Sequence, residues 1–301
     1  FLKNEFLTIR FMKLNSIFLL LFLSNIAFAQ LKTENYKIYN TQTKRTCTLE
    51  EMIASLALAD VVFFGEEHND PTGHQLESDI LQKLYQLNGK KQILSMEMFE
   101  KDIQLVMNEY LQNLIREKNF IKEARAWNNY NDYKPMIEFA KEKELAVIAA
   151  NPPNRYVNLV TRKGLSALNS LNKSAKQWLP PLPVDTLTGA YYKNFLETMG
   201  GHSVAGMEIY QSQNLWDSGM AHSIYSYLKN NKKSRVFHVL GRFHSDEKLG
   251  TIAKLLTFNA RLKTSNISSF SDASFNAPEW SKFSHLGDFV IITNPNLKRT
   301  F

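Results

Sequence analysis

The sequence is poor in three things, and each shortage excludes a class of protein. It has one cysteine, Cys47, in 301 residues. A lone thiol closes no internal disulfide, so stability has to come from packing. It has no block of basic residues: the 36 Lys and Arg and 29 Asp and Glu give a formal charge of +7 spread along the chain. That pattern excludes a nucleic-acid surface and leaves acidic small molecules or a membrane surface open. It also has no long hydrophobic run. The apolar stretch Ile17–Leu23 is too short to span a bilayer comfortably. No repeat, low-complexity tract or Gly/Ser-rich linker interrupts the chain.

What that short apolar stretch does resemble is an export signal. Met12-Lys13 precedes it, and Ala27-Phe28-Ala29 before Gln30 has the small-x-small form of a cleavage site. Residues 1–11 read as upstream translated sequence, residues 1–29 as leader, and residues 30–301 as a single α/β domain. The expectation is an exported protein, periplasmic or membrane-associated. With no cysteine at the cleavage site, no lipid-anchored form is expected; an uncleaved anchor is the competing reading.

The mature region is rich in aromatics, with 20 Phe and 12 Tyr, and can bury a large core. Its most informative stretch is Asp60–His74. Val61–Phe64 is a continuous β-branched and aromatic run, the mark of a strand buried on both faces. Gly65 ends it, Glu66, Glu67, His68, Asn69 and Asp70 follow, and Pro71 opens a helix with Asp70 as its N-cap. A buried strand that empties into carboxylates and an imidazole is how open α/β proteins place ligand groups at strand ends; an ordinary polar loop is the alternative. The pattern returns near the other end, where Val236–Leu240 runs into Gly241-Arg242-Phe243-His244. With 12 Gly and 7 His in the chain, chance gives roughly 0.3 Gly-x-x-His matches. A third match, Gly219–His222, lies inside a helical pattern and is set aside.

Between these stretches, periodicity predicts helices over about 49–59 (with a Thr48/Glu51 capping box), 71–87, 101–117, 134–144, 206–229 and from the Gly241 turn to about 257. Strands are predicted at 60–65, 93–98, 146–150, 235–240 and 289–292. Residues 127–133 read as an aromatic, amide-rich loop. Residues 165–205, with Pro180, Pro181, Pro183 and Gly200-Gly201, read as an inserted subdomain or lid of short helices. Strands separated by helices imply a mostly parallel sheet flanked by helices on both faces, with that small helical insertion.

In such a sheet the residues just past neighbouring strand ends share one cleft. Glu66, Glu67, His68, His74, Glu97 and His244 are expected there, with Asp217 as an outer member. His68, His244, Glu97 and Glu67 form a possible ligand set for a divalent metal. Without metal, Glu66, His68, Glu97 and His244 could work as general acid and base. Asn151 and Arg155 could join from the third strand, although a plain turn explains them as well. His238 reads as a core histidine, and His202, His222 and His285 as structural or exposed.

Several motifs in order resemble the ChaN-like haem-binding uptake family, within the larger group holding the Tiki/TraB metalloproteases and the erythromycin esterases. They are Gly65–Pro71 with His74, Ser95–Phe99, Trp127 with Tyr133-Lys134-Pro135, Asn151–Arg155, Gln213–Asp217 with Met220-Ala221, and Gly241–His244. The resemblance covers about residues 35–295. It implies a haem-binding protein of iron uptake, two haems face to face at a homodimer interface, and possible outer-membrane uptake components as partners. It also implies a tyrosine on each iron and basic side chains on the propionates. Tyr130, Tyr191, Tyr192 and Tyr210 are the candidate ligands, with His74 and Arg155 as further candidates around the haem; Tyr133 fits a scaffold position. A Tiki-like metal-dependent hydrolase or an esterase-like hydrolase is the alternative implied by the wider group.

Overall fold

The apolar runs that dominate the sequence become the centre of one sheet. A computed structural model describes residues 33–200 and 207–301, all within the unit Leu31–Phe301. The expected leader, its cleavage site, Gly201 and His202 lie outside the described residues. Among the described residues the strands are β1 (Tyr36–Asn40), β2 (Arg45–Cys47), β3 (Val61–Glu66), β4 (Gln92–Glu100), β5 (Val147–Asn151), β6 (Arg235–Gly241), β7 (Thr264–Ser271) and β8 (Phe289–Thr293). Their order is β2-β1-β8-β7-β3-β6-β4-β5. From β8 to β5 every neighbour is parallel, while β1 runs antiparallel to β8 and β2 to β1.

The helices are α1 (Leu49–Leu56), α2 (Pro71–Asn88), α3 (Gln104–Leu111), α4 (Glu117–Glu123), α5 (Tyr130–Glu142), α6 (Asn154–Lys163), α7 (Lys173–Lys176), α8 (Ala190–Thr198), α9 (Ile209–Asn230) and α10 (Gly250–Phe258). They cover both faces, as the strand periodicity requires. Val62 and Phe64 of β3 pack with Met52 of α1, Leu76 and Ile80 of α2 and Met136 of α5. Val61 and Phe63, pointing the other way, pack with Met220 and Ile224 of α9 and Ile252 of α10. The fold is therefore the α/β class that the sequence predicts. Among the described residues no helix is long and apolar enough to cross a membrane.

Local details differ from the sequence reading. β1, β2 and β7 were not expected. β7 is serine-rich, and two of its buried polar side chains find tertiary partners: Asn266 Nδ2 donates to Ser245 O at 2.8 Å and Ser268 Oγ to Asp246 Oδ1 at 2.6 Å. The helix expected over 101–117 ends at Leu111, where Asn113 takes a left-handed φ of 60° and the chain turns into α4. The expected loop 127–133 is largely the start of α5, which tolerates Pro135 in its second turn, close to the N-terminal positions where a missing N–H costs least. Within 165–200 lie a 3-10 segment Leu165–Ser170, α7 and α8. Leu168, Leu179 and Val184 of this span pack with Val157 and Val160 of α6 and Leu215 of α9 in a small apolar cluster of their own.

Candidate functional site

Parallel register brings the ends of β3, β6 and β4 side by side, with Glu66 opposite Gly241 and Met96 opposite Val239. Two acid–imidazole groups sit at this edge.

The first is built on Glu66, the last residue of β3, which is buried. Its Oε1 accepts from His68 Nδ1 at 2.7 Å and from the Tyr133 hydroxyl at 2.7 Å, and its Oε2 faces His74 Nε2 at 3.1 Å. His74 reaches it because Asp70 caps α2, accepting from Thr72 N at 3.0 Å, which puts His74 and Glu77 on the same buried helix face. His68 and His74 hold the Glu66 carboxyl well below the usual carboxylate range, against the opposing cost of its burial. Burial and the Glu66 charge push Glu77 well above that range. Trp127 stands edge-on to His68, centroids 5.1 Å apart, and Asn129 Nδ2 donates to His68 O at 3.0 Å.

The second group surrounds His244. Its Nδ1 lies 2.8 Å from Asp217 Oδ1 and its Nε2 3.6 Å from Glu97 Oε1. Asp217, fully buried on α9, also accepts from Thr251 Oγ1 at 3.0 Å and from the Tyr191 hydroxyl at 2.5 Å. Although burial disfavours the imidazolium, the Glu97 and Asp217 charges outweigh it and push His244 up to about 9.

The two groups meet at Gly241. Its N–H donates to Glu97 Oε2 at 2.7 Å, and a Cβ built on it falls 2.8 Å from His68 Nε2. The lack of a side chain at Gly241 thus lets the His68 ring lie against β6, facing Glu97. Each histidine is oriented through Nδ1 by its own buried carboxylate, and Glu97 is shared between them. His68 is raised by Glu66 and Glu97, although burial opposes this. The arrangement favours the protonated form of both imidazoles, the buried His244 and the half-buried His68.

Among the described residues no group of three or more His, Cys, Asp or Glu side chains is disposed to hold a metal ion. Glu67, expected in the cleft, faces away: its Oε2 accepts from Ser271 N at 3.1 Å and from Arg299. Glu66 ends β3 at the cleft, whereas Glu67, just past the strand, turns to Ser271 at the end of β7, so the two do not share a cleft. Arg155 is committed to Asp102 and lies over the Tyr156 ring. His238 is a buried core residue, 2.9 Å from Ser95 Oγ and pushed down to about 3 by burial. Glu77 and the bond from Tyr133 to Glu66 were not expected from the sequence. The spacing of His74 and Glu77, three residues apart on a helix, was the available signal for the first.

The four candidate tyrosines occupy different environments. Tyr130 is buried in the aromatic core, 6.0 Å from the Phe120 ring, and burial pushes its phenol strongly upward. Tyr191 is buried and donates to Asp217; burial and that carboxylate push it upward too. Tyr210 donates to Leu187 O at 2.5 Å and is raised by burial. Tyr192 is 45% exposed, with its ring against Tyr210 at 4.8 Å. Its hydroxyl makes no hydrogen bond among the described residues.

A solved structure described as "Cofacial heme binding to ChaN of Campylobacter jejuni" shares the fold at a TM-score of 0.66 and 16% identity, covering 87% of this chain and 98% of that one. An erythromycin esterase mutant, EreC in its open conformation, aligns at a TM-score of 0.47 and 10% identity, covering 86% of this chain and 83% of that one. No curated protein matches the sequence. The family described as haem-binding uptake, Tiki superfamily, ChaN matches residues 52–255, a span that includes both acid–imidazole groups. The chain belongs to that family.

Proposed function

We propose that this protein binds haem and serves haem or iron uptake after export from the cytoplasm. The observation that carries the reading is the family match over 52–255, and the donor set of this chain fits the ligand. A ferric haem takes a phenolate well, and a phenol ligates most readily where solvent, not a carboxylate, surrounds it. Tyr192 meets that condition; Tyr130, Tyr191 and Tyr210 have phenols raised by their surroundings. Beside Tyr192 lies one flat surface suited to a porphyrin, the half-buried Tyr210 ring, its centroid 4.8 Å away. Lys193, next in the chain and 76% exposed, meets only the exposed Glu197 carboxylate at 3.7 Å, a contact weak enough for the cation to turn to a propionate.

When bound, the haem would supply an iron centre with a strong visible absorption; the protein's part is to hold and orient it. Tyr192 would donate a phenolate oxygen to the iron, and the Tyr210 ring would exclude water beside it. The Campylobacter relative is described as binding haem cofacially. Carried to this chain, that favours two haems stacked between two copies. The leader-like residues 12–29 support export.

The test is a haemin titration of residues 31–301, followed at the Soret band. The reading expects a saturable, shifted band with a stoichiometry near one haem per chain. A titration curve indistinguishable from haemin added to buffer would remove it.

A further inference from the structure

At the opposite edge of the sheet from the site, the sequence gathers charge that nothing in the fold uses. Parallel register aligns the starts of four strands there: Val61 lies opposite Val236 and Thr264, and Ile93 opposite Val236. Just before these starts, or at the end of α9, come Lys91, Lys229, Lys232, Lys233, Arg261 and Lys263, all exposed. None of the six forms an ion pair among the described residues. The carboxylates at this edge are already engaged, Asp60 by Arg235 and Glu144 by Lys90.

Two further features share this pole. Leu58, which leads into β3, is 76% exposed, and Leu87, at the end of α2, is 55% exposed. Isolated exposed leucines are ordinary, but these two flank unpaired cations. Between α9 and α10 opens a cavity of about 570 Å³. Lys229, Lys232 and Arg261 line it together with the stacked Tyr225 and Phe258 rings, 5.4 Å apart.

We infer that this pole docks on a membrane surface bearing anionic phospholipid headgroups, with a headgroup phosphate seated between Lys229, Lys232 and Arg261 and with Leu58 and Leu87 entering the interface. Cations attract such a surface additively within a Debye length, and apolar side chains beside them add burial that a soluble acidic partner would not require. Docked this way, the cleft at the far end of the strands faces away from the lipid. The inference is independent of haem binding.

The test is co-sedimentation of residues 31–301 with vesicles of phosphatidylcholine alone or with added phosphatidylglycerol. Binding is expected to the anionic vesicles only, weakening as salt rises. The triple variant K229Q/K232Q/R261Q is expected to bind about tenfold or more weakly. A charge-matched control on and beside α4, R116Q/K118Q/K122Q, is expected to stay within about twofold of wild type, and Leu58→Ser with Leu87→Ser to weaken binding at unchanged charge. Equal losses in both triple variants would reduce the effect to net charge and overturn the inference. So would an absence of binding to anionic vesicles, or inorganic phosphate binding in the cavity without vesicle binding. Circular dichroism of each variant establishes that a loss is not unfolding.

Discussion

His244 Nδ1 and Asp217 Oδ1 lie 2.8 Å apart in a fully buried pair, and the other oxygen of the same carboxylate accepts from Tyr191, the neighbour of Tyr192 on α8. One buried aspartate therefore ties the cleft histidine to the helix that carries the candidate haem ligand. The imidazolium is raised from 6.5 to about 9 by Glu97 and Asp217. A histidine raised on folding stabilises fully below its unfolded value and loses that contribution as pH rises through its folded one. Stability is thus expected to fall between about pH 6.5 and 9, by an amount on the order of 3 kcal/mol. Urea denaturation across that range checks it: the slope should shrink in His244→Gln to what His68, also raised, contributes, and a wild-type slope no steeper than the variant's would refute the pairing.

Glu66 accepts from His68 and Tyr133, and faces His74. Glu66→Gln keeps the shape but removes the charge that compensates these buried donors. Loss of one partner from a buried charged network costs about 3–5 kcal/mol when the other is left uncompensated; for the isosteric amide, about 2–3 kcal/mol is expected. Thermal and urea unfolding measure this. A change below 0.5 kcal/mol, on the order of a surface substitution, would mean the network is not holding the strand end.

Gly241 is a contact position rather than a flexible one. A Cβ there meets His68 Nε2 at 2.8 Å and Cε1 at 3.1 Å, so Gly241→Ala is expected to push the His68 ring off Glu97. The fold should survive at a cost of about 1–3 kcal/mol. The His68 imidazole proton resonances should move while those of His238, in the strand interior, stay in place. Unchanged His68 resonances would rule out the close approach.

The Glu67–Arg299 pair, joined by Ser271, fastens the C-terminal segment to the end of β7. Both side chains are about one-third exposed, so Arg299→Ala should cost less than about 1 kcal/mol globally. Its effect should be local, with faster hydrogen exchange at Thr300, whose N–H donates to Asn69 O at 3.1 Å. Exchange that accelerates uniformly across the sheet would contradict a local fastening.

The sheet's centre was legible because Val61–Phe64 and Val236–Leu240 are continuous apolar runs ended by glycines, and that pattern admits few other structures. β7 was not, because Asn266 and Ser268 are polar residues buried against partners on other segments, and no local pattern encodes those partners. His68, His244, Glu66 and Glu97 could be placed from strand ends alone. Telling Glu66 from Glu67 required knowing where β3 stops, since Glu67 lies just past it and turns to Ser271. Tyr133 comes to Glu66 from 67 residues away along the chain, and the fold, not spacing, joins them.

Haem ligation by Tyr192 is tested most directly by the visible spectrum of the haemin complex in two single variants. Tyr130 is buried and its hydroxyl has no hydrogen-bond partner among the described residues, so Tyr130→Phe is expected to leave the wild-type Soret and tyrosinate-to-iron charge-transfer bands intact. Tyr192→Phe is expected to abolish the charge-transfer band and weaken haemin binding by about tenfold or more, roughly 1.4 kcal/mol. A Tyr192→Phe complex with the wild-type spectrum and affinity would contradict the assignment.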